Sequence, residues 1–274
     1  MDDKLPLGGR TRVVAIFGDP IAQVKSPAGV TRALKRLGRD CVVVPAHVAS
    51  EDVGTFLAGA LATRNVAGLI ATIPHKFAAY SHCKSASARA HVLGAVNVMR
   101  RNDDGSWHGD MLDGIGFVTA ARDAGCVPEQ RRALLVGAGG AGSAIALALL
   151  DAGAAMLAIH DGDARRRDEL QARLARLHPG KVCPGTADPR GFDVIVNATP
   201  AGMREGDPLP VDAAGLAPSM FVGDVITQPV QTPLLAAARA LGCKTQTGVG
   251  MFGAVATLMV EFLIAAGPLA SPDA

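Results

Sequence analysis

Short apolar runs alternate with amphipathic stretches along the whole chain, and their spacing predicts an α/β protein. Residues 12–17 (RVVAIF) read as a buried strand that stops at the turn signal Gly18-Asp19-Pro20. Ser26-Pro27 opens a helix to about residue 37, with Ser26 as N-cap and Pro27 in the first helical position. Residues 41–45 form a second strand, 51–62 a helix, and 66–73 a third strand that runs into Pro74-His75-Lys76. Segments 94–101 and 107–109 flank Asn102-Asp-Asp-Gly105, which predicts a hairpin at the edge of a mixed sheet. A second series starts near Arg131. Its strands are 133–136, 154–159, 193–197 and 221–225, and its helices are 143–152, 164–177, 233–241 and 255–266. Such alternation belongs to a doubly wound parallel sheet.

Composition sharpens this picture. Hydrophobic residues make up 49% and charged residues 19%, which supplies buried cores and argues against disorder. Aromatics are only 4%, which favours parallel strands wrapped by Ala-rich helices over a β-sandwich. A length of 274 residues allows two ordinary domains. The net charge of +2 excludes a dedicated nucleic-acid or polyanion binder, and Arg165-Arg166-Arg167 reads as a solvated helix face. Five cysteines, an odd number without a CxxC pair, argue against a disulfide framework or a metal site and fit a reducing cytoplasm. The opening MDDKLPLGGR lacks the apolar core of a signal peptide. No apolar stretch reaches the roughly 18 residues of a membrane span, so no membrane partner is expected. The closing GPLASPDA reads as a frayed end.

The sharpest chemical signal is Gly137-Ala138-Gly139-Gly140-Ala141-Gly142, set between a strand and a helix. Gly137 permits the tight turn, Gly139 lets backbone amides approach a pyrophosphate, and Gly142 lets the helix pack on the strand. The helix N-terminus then offers unpaired N–H groups to the phosphates. Asp161 ends the next strand, where a carboxylate can accept bonds from ribose hydroxyls and repel a 2′-phosphate. The expected cofactor is therefore NAD, with NADP left open because Arg165, one turn on, could reach a phosphate. Asp161 also fits a helix N-cap, and the two roles are compatible.

A second signal lies in the first half. Thr72-Ile-Pro-His-Lys76 sits at the C-terminal end of a buried strand, where ligands bind in open α/β sheets. Ketone reduction needs a group that donates a proton as hydride arrives and takes one back in reverse. Lys76 suits that task, and Asp113, before the crossing into the second half, suits that of orienting it. Taken singly, Lys76 also reads as a surface lysine and Asp113 as a helix N-cap.

Together the motifs resemble the shikimate dehydrogenase family over nearly the whole chain. The matching pieces are Gly18-Asp-Pro-Ile21 with Lys25-Ser26-Pro27, Thr72-Ile-Pro-His-Lys76, Gly94-Ala-Val-Asn97, Asp113-Gly-Ile-Gly-Phe117 and the glycine loop. Asn197-Ala-Thr-Pro-Ala-Gly-Met203, Asp224 followed by Thr232-Pro-Leu-Leu235, and Gly248-Val-Gly-Met251 complete the series. The resemblance implies a substrate domain over 1–113, completed by a returning helix within 243–274, and a Rossmann domain over 114–242. It implies a Lys76–Asp113 acid/base pair and reversible hydride transfer between a nicotinamide cofactor and a cyclic hydroxy acid or ketone. Ser26, Thr72 and Asn97 fall on substrate-binding positions. Asn197, Thr199, Pro200, Val225, Gly248 and Met251 fall with the glycine loop on cofactor-binding ones. The protein is expected to act as a monomer or homodimer on a small molecule.

Departures from the family pattern concentrate in the substrate shell. Val24 stands where the family has a serine, Ile70 where it has an asparagine, and Met111-Leu112 where it has Asn-Thr. Thr227 replaces a tyrosine, Val255 a glutamine, and Asp161 an arginine. Polar readers of hydroxyls and carboxylate are mostly replaced by apolar groups, which implies a less polar substrate. The competing reading is a catalytically silent dinucleotide-binding sensor. A lysine-assisted folate dehydrogenase is a further reading, which requires a pterin-binding shell that is not identifiable in this sequence.

Overall fold

The structure is a computed structural model that describes residues 7–271. The leader reading of MDDKLP and the frayed reading of the last three residues fall outside the described part. The chain divides into two compact units, Met1–Met111 with Ala256–Ala274, and Leu112–Val255.

The first unit is built on β1 (Arg12–Gly18), α1 (Ser26–Arg36), β2 (Cys41–His47), α2 (Val53–Ala62) and β3 (Val66–Ala71). It continues with α3 (Lys76–Ser81), β4 (Ser85–Ala86), α4 (Ala88–Leu93), β5 (Val98–Arg101) and β6 (Trp107–Asp110). The sheet order is β2-β1-β3-β5-β6-β4. The first three strands are parallel, and β5 and β6 form the antiparallel hairpin. That hairpin is not the sheet edge expected from the DDG turn: β4 pairs in parallel with β6 beyond it. Every residue of β3 is buried, as expected of a parallel strand covered on both faces.

Three local readings change. Lys25, not Ser26, is the N-cap of α1, and no side chain caps that end. α3 and α4 occur where only motifs were legible. α4 has its own signals, a Ser87 N-cap bonded to the Ala90 N–H and Gly94 in the left-handed C-cap conformation at φ 63°. Residues 267–269 form a 3₁₀ turn with Leu269 buried, so the end of the chain is not frayed up to that point.

The second unit contains α5 (Asp113–Asp123), β7 (Arg132–Val136), α6 (Gly140–Asp151), β8 (Met156–His160), α7 (Ala164–Ala175) and β9 (Val182–Pro184). β10 (Val194–Asn197), β11 (Phe221–Asp224), α8 (Pro233–Ala240), β12 (Lys244–Gln246) and the part of α9 (Gly248–Ile264) up to Val255 complete it, the rest of α9 belonging to the first unit. All strands are parallel in the order β12-β11-β10-β7-β8-β9. Counted along the unit this is the doubly wound dinucleotide-fold order, with its switch point between β7 and β10. Leu134, Ile195, Val222, Leu234 and Leu235 are the centre of one core layer.

Of the segment 243–274 read as returning to the first domain, Ala256–Ala274 belongs to the first unit and 243–255 to the second. β12 hydrogen-bonds β11, whose open edge requires a partner, and the second unit runs on to Val255. α5 and the start of α9 were unread as helices because both are rich in glycine. In α5 the glycine is needed: a methyl at Gly114 would lie 2.1 Å from the Ala144 carbonyl oxygen of α6.

One buried cation ties the first unit together. Arg101 donates from Nε to the Val66 carbonyl at 2.6 Å and from Nη2 to Ala60 at 2.7 Å, Thr63 at 2.8 Å and Leu61 at 3.0 Å. It thereby closes the C-terminal end of α2, whose last carbonyls have no helical partner. Arg101→Met should remove these four bonds, leaving Ala60 and Thr63 only their backbone donors, and lower the unfolding free energy by about 3 kcal/mol or more. Urea unfolding followed by the fluorescence of Trp107, in the same unit, measures it.

Candidate active site

In the first unit the C-terminal ends of β1 and β3 meet. The Phe17 carbonyl accepts the Thr72 N–H at 3.0 Å, and the Ile73 carbonyl accepts the Asp19 N–H at 3.0 Å. A methyl at Gly18 would lie 2.3 Å from Thr72 Cγ2, so only glycine allows this approach. The chain then reverses in a turn closed by the His75 N–H on the Thr72 carbonyl at 2.8 Å, with Pro74 cis. Lys76 is the first residue of α3, half-buried, and its carbonyl accepts the Val96 N–H at 3.0 Å. Asn97 comes next, fully buried, held by backbone bonds of 2.9 Å to Ala71 and to Asp110. Thr72, Lys76 and Asn97 therefore gather at the C-terminal edge of this sheet. Val24, half-buried, and Ser26, buried, come from the loop after β1 and the first turn of α1.

Two devices that hold this edge were not foreseen. His75 is buried, stacks on the Phe17 ring at 5.8 Å and bonds the Val48 carbonyl at 2.7 Å through Nε2. Asp110, buried at the end of β6, takes Arg89 Nε at 2.8 Å and Nη2 at 2.5 Å, the Ser87 hydroxyl, and the Met111 N–H at 2.7 Å. His75 was present in a quoted motif, but the burial of both is a tertiary property that no local spacing reports.

In the second unit the switch point carries the glycine loop. Gly137 has φ +103°, and a methyl there would lie 2.8 Å from the Ala198 carbonyl, so the loops after β7 and β10 touch. A methyl at Gly142 would lie 1.9 Å from the Gly137 carbonyl oxygen. At Gly139 a methyl meets nothing within 4 Å. Gly137 and Gly142 are thus required by the protein's own backbone, whereas the smallness of Gly139, at the N-cap of α6, serves space outside it. With the free N–H groups of that helix end, this is the cradle a pyrophosphate needs. Gly140 and Ala141 begin α6, and Ala138 is buried.

Asp161 comes directly after β8. Its carboxylate accepts the Ala138 N–H at 2.7 Å and the Asp163 N–H at 2.8 Å. The N-cap of α7 is Asp163, not Asp161. Arg165 does not face Asp161: its Nε is engaged by Glu169 at 2.9 Å and its side chain is 87% exposed. Its neighbour Arg166 stands there instead, 3.5 Å from Asp161 Oδ1. One residue along a helix rotates a side chain by about 100°, and that decides which arginine is present.

The side chain of Asn197 is consumed internally. Its Nδ2 donates to Ala201 and to Asp224 at 3.2 Å, and its Oδ1 accepts the Thr199 N–H at 3.0 Å and hydroxyl at 2.7 Å. Its amide therefore shapes the loop carrying Thr199 and Pro200. Asp224, fully buried, also accepts the Thr232 hydroxyl at 2.8 Å and the Ile226 N–H at 2.9 Å. Burial pushes its carboxyl above the usual range against the pull of these donors. Val225 is next, its N–H on the Asn197 carbonyl at 3.1 Å. A methyl at Gly248 would lie 2.3 Å from the Ile226 carbonyl oxygen, and buried Met251 lies one turn on. Thr227 is half-buried. Val255 is buried against Gly116, where a methyl would lie 2.3 Å from its Cγ2. Asp113 is buried in the first turn of α5, where the helix dipole favours a carboxylate, and Leu112 rather than Asp113 is the N-cap.

Known proteins share this layout. Residues 16–99 match the shikimate dehydrogenase substrate binding domain. The shikimate dehydrogenase (NADP(+)) of Rhodospirillum rubrum is 38% identical over 89% of this chain and 88% of its own length. This chain belongs to the shikimate dehydrogenase family. It is an oxidoreductase of that type, on an α/β fold with a Rossmann unit. Among solved structures, quinate dehydrogenase from Corynebacterium glutamicum in complex with NAD is similar at TM-score 0.84 and 28% identity, over 95% of this chain and 96% of that one. The ligand-free 5-ketofructose reductase of Gluconobacter sp. strain CHM43 is similar at TM-score 0.81 and 29% identity, over 95% of each chain.

Against the family pattern the altered shell positions are mostly core. Ile70, Met111, Leu112 and Val255 are buried, while Val24 and Thr227 are half-buried. Among the described residues no helix is long and apolar enough to cross a membrane, and no His, Cys, Asp and Glu cluster could hold a metal.

The glycine loop gives a direct test. Gly139→Ala should leave the melting temperature nearly unchanged and weaken dinucleotide binding about tenfold or more, equivalent to about 1.4 kcal/mol. Gly142→Ala should instead destabilise the fold itself by about 1–3 kcal/mol through overpacking. Thermal melts and calorimetric titration separate the two.

Proposed function

We propose that the protein reversibly transfers a hydride between NAD and a cyclic hydroxy acid or ketone less polar than shikimate, with Lys76 and Asp113 as the acid/base pair. The observation that carries the reading is the retained Thr72–Lys76–Asn97 group at one sheet edge, in a chain whose glycine loop keeps a cradle open at Gly139. When bound, a nicotinamide dinucleotide would supply or accept the hydride. Lys76 Nζ donates a proton to the substrate oxygen during ketone reduction and takes it from the hydroxyl in reverse. Asp113 orients the ammonium and balances its charge. Asn97 bonds a substrate hydroxyl, and Ser26 and Thr72 bond further polar groups. Gly137 to Gly142 hold the pyrophosphate, and Asp161 accepts the ribose hydroxyls, which favours NAD. Thr199, Pro200, Val225, Gly248 and Met251 surround the nucleotide, with the Thr199 loop held by Asn197.

The apolar positions set the substrate preference. A serine, asparagine, tyrosine or glutamine would supply bonds that Val24, Ile70, Thr227 and Val255 do not supply in the same way. Each missing buried partner costs about 1–3 kcal/mol of binding. Ile73 and Phe77, on either side of Lys76 in sequence, are 49% and 42% exposed and add apolar surface near it. The Gluconobacter relative is a reductase of 5-ketofructose, so the fold also serves a ketone other than a shikimate precursor. The same apolar replacements support a second reading, a dinucleotide sensor without turnover.

Steady-state assays with NAD should give a kcat/KM for shikimate well below about 10⁴ M⁻¹s⁻¹, the lower range of efficient enzymes. A value above that would remove the altered-substrate reading. On whichever cyclic ketone turns over, Lys76→Ala should lower kcat by about 10²–10⁴ with NAD affinity unchanged. Asp113→Asn should also lower kcat, and the double variant should be little worse than the worse single one. Full turnover by Lys76→Ala would refute the proposed chemistry. NAD binding without NADH oxidation across a panel of cyclic ketones would favour the sensor.

A further inference from the structure

The N-terminal edge of the first sheet, opposite the edge that carries Thr72 and Lys76, gathers cations of its own. β1 begins at Arg12, and Arg39 stands just before β2. Both side chains lead to one place. A methyl at Gly68 of β3 would meet Val14 and Leu263 of α9 together, so Val14 faces α9, and Arg12, two residues earlier on β1, shares that face. Arg12 Nη1 reaches the Arg64 carbonyl at 3.3 Å, two residues before β3. Arg39 Nη2 reaches the Ala270 carbonyl at 3.0 Å, directly after the 3₁₀ turn of residues 267–269. That turn packs on β3 and β5, so Arg39 passes the start of β1, where Arg12 stands.

Neither guanidinium is fully paired. Arg12 Nε, Arg39 Nε and Arg39 Nη1 are buried and make no hydrogen bond among the described residues, while the outer bonds to Arg64 and Ala270 lie in solvent. Those outer bonds go to neutral carbonyls and balance no charge. Asp40, beside Arg39, is exposed, and its carboxylate bonds neither group. Arg101 adds a third cation: its burial first, then the charge of Arg12, push its pKa below the usual arginine value. A shielded donor without a partner is costly, and a shielded charge without a counter-charge more so. Oxyanions meet both needs, because a guanidinium offers them paired, charge-assisted bonds in one plane.

We propose that Arg12 and Arg39 form an oxyanion-binding site at the N-terminal edge of the first sheet, which takes the phosphate or carboxylate group of a small molecule. The anion enters at the solvent-facing rim and lies between the two forks, which turn from their backbone carbonyls onto it. This site is separate from the substrate and dinucleotide readings: the seven residues of β1, about 20 Å of strand, lie between it and the edge at Thr72.

Calorimetric titration of the full chain with inorganic phosphate, at constant ionic strength in chloride buffer, tests it. The wild type should bind phosphate. Arg12→Met and Arg39→Met should each raise the Kd about tenfold or more, the scale of charge-assisted bonds to one guanidinium. Arg39→Lys keeps the charge and loses the fork, and should raise it about threefold. Titration with acetate distinguishes the two sources: tighter phosphate binding assigns the site to a phosphorylated molecule, tighter acetate binding to a carboxylate, and either supports the proposal. Thermal melts separate binding from folding. In chloride alone the Met variants should melt close to the wild type, because each loses one exposed bond together with an unbalanced charge. Added phosphate should raise the melting temperature of the wild type more than that of the double variant. Failure of both phosphate and acetate to bind at millimolar concentration would overturn the proposal. So would an unchanged Kd in Arg39→Lys, or phosphate binding that both Met variants keep, as uptake at the glycine loop would give.

Discussion

A backbone folded so tightly that a methyl at Gly142 would lie 1.9 Å from the Gly137 carbonyl is the constraint on which the second unit's chemistry depends. That approach sets α6 directly on the end of β7, so the helix N-terminus opens at the switch point of the sheet. The Ala138 N–H inside the same turn is taken by Asp161, which couples the glycine loop to the end of β8 through one bond. Loop, helix end and carboxylate therefore form one preorganised surface, and changing any of them moves the others.

Around it, buried polar groups fix the ends of strands. Asp224 collects donors from Thr232, Ile226 and Asn197, and Asn197 commits its whole amide to Asp224 and the loop from Thr199 to Ala201. In the first unit Asp110 collects Arg89, Ser87 and the Met111 N–H, while its carbonyl holds Asn97. Burying such charges is costly and is offset only when every lone pair finds a donor. The return is positional: the loops at both sheet edges leave rigid, fully bonded strand ends, which is what a site on loops requires.

The substrate shell is organised in the opposite way. Ile70 sits inside β3 between Ile16 of β1 and Val98 of β5, and Val255 packs on the glycine face of α5. At these places apolar side chains complete cores without any ligand. A polar side chain there would need a partner, and in a family that reads hydroxyls the ligand can supply it. Here the fold is satisfied by packing alone, which on the proposed function leaves substrate recognition to fewer polar groups.

The sequence by itself determined the fold class and the family. β-branched apolar runs bounded by glycine, with a glycine loop between strand and helix, leave few topologies, and the order of motifs from Gly18 to Met251 carried the family. It misplaced what depends on distant packing. α5 and the start of α9 were hidden because glycines that lower helix propensity are there to let helices touch, a reason visible only from the neighbour. Segment 243–247 looked like part of a returning element, yet the open edge of β11 claimed it as a strand. Asn197 was legible as important but not as internally bonded, and Arg165 was legible as the arginine near Asp161 when the turn of α7 presents Arg166. Residue type and spacing decide what a segment can do. Which of its side chains face the site, and which are used up holding it, is set by partners far away in sequence, so only the tertiary structure decided it.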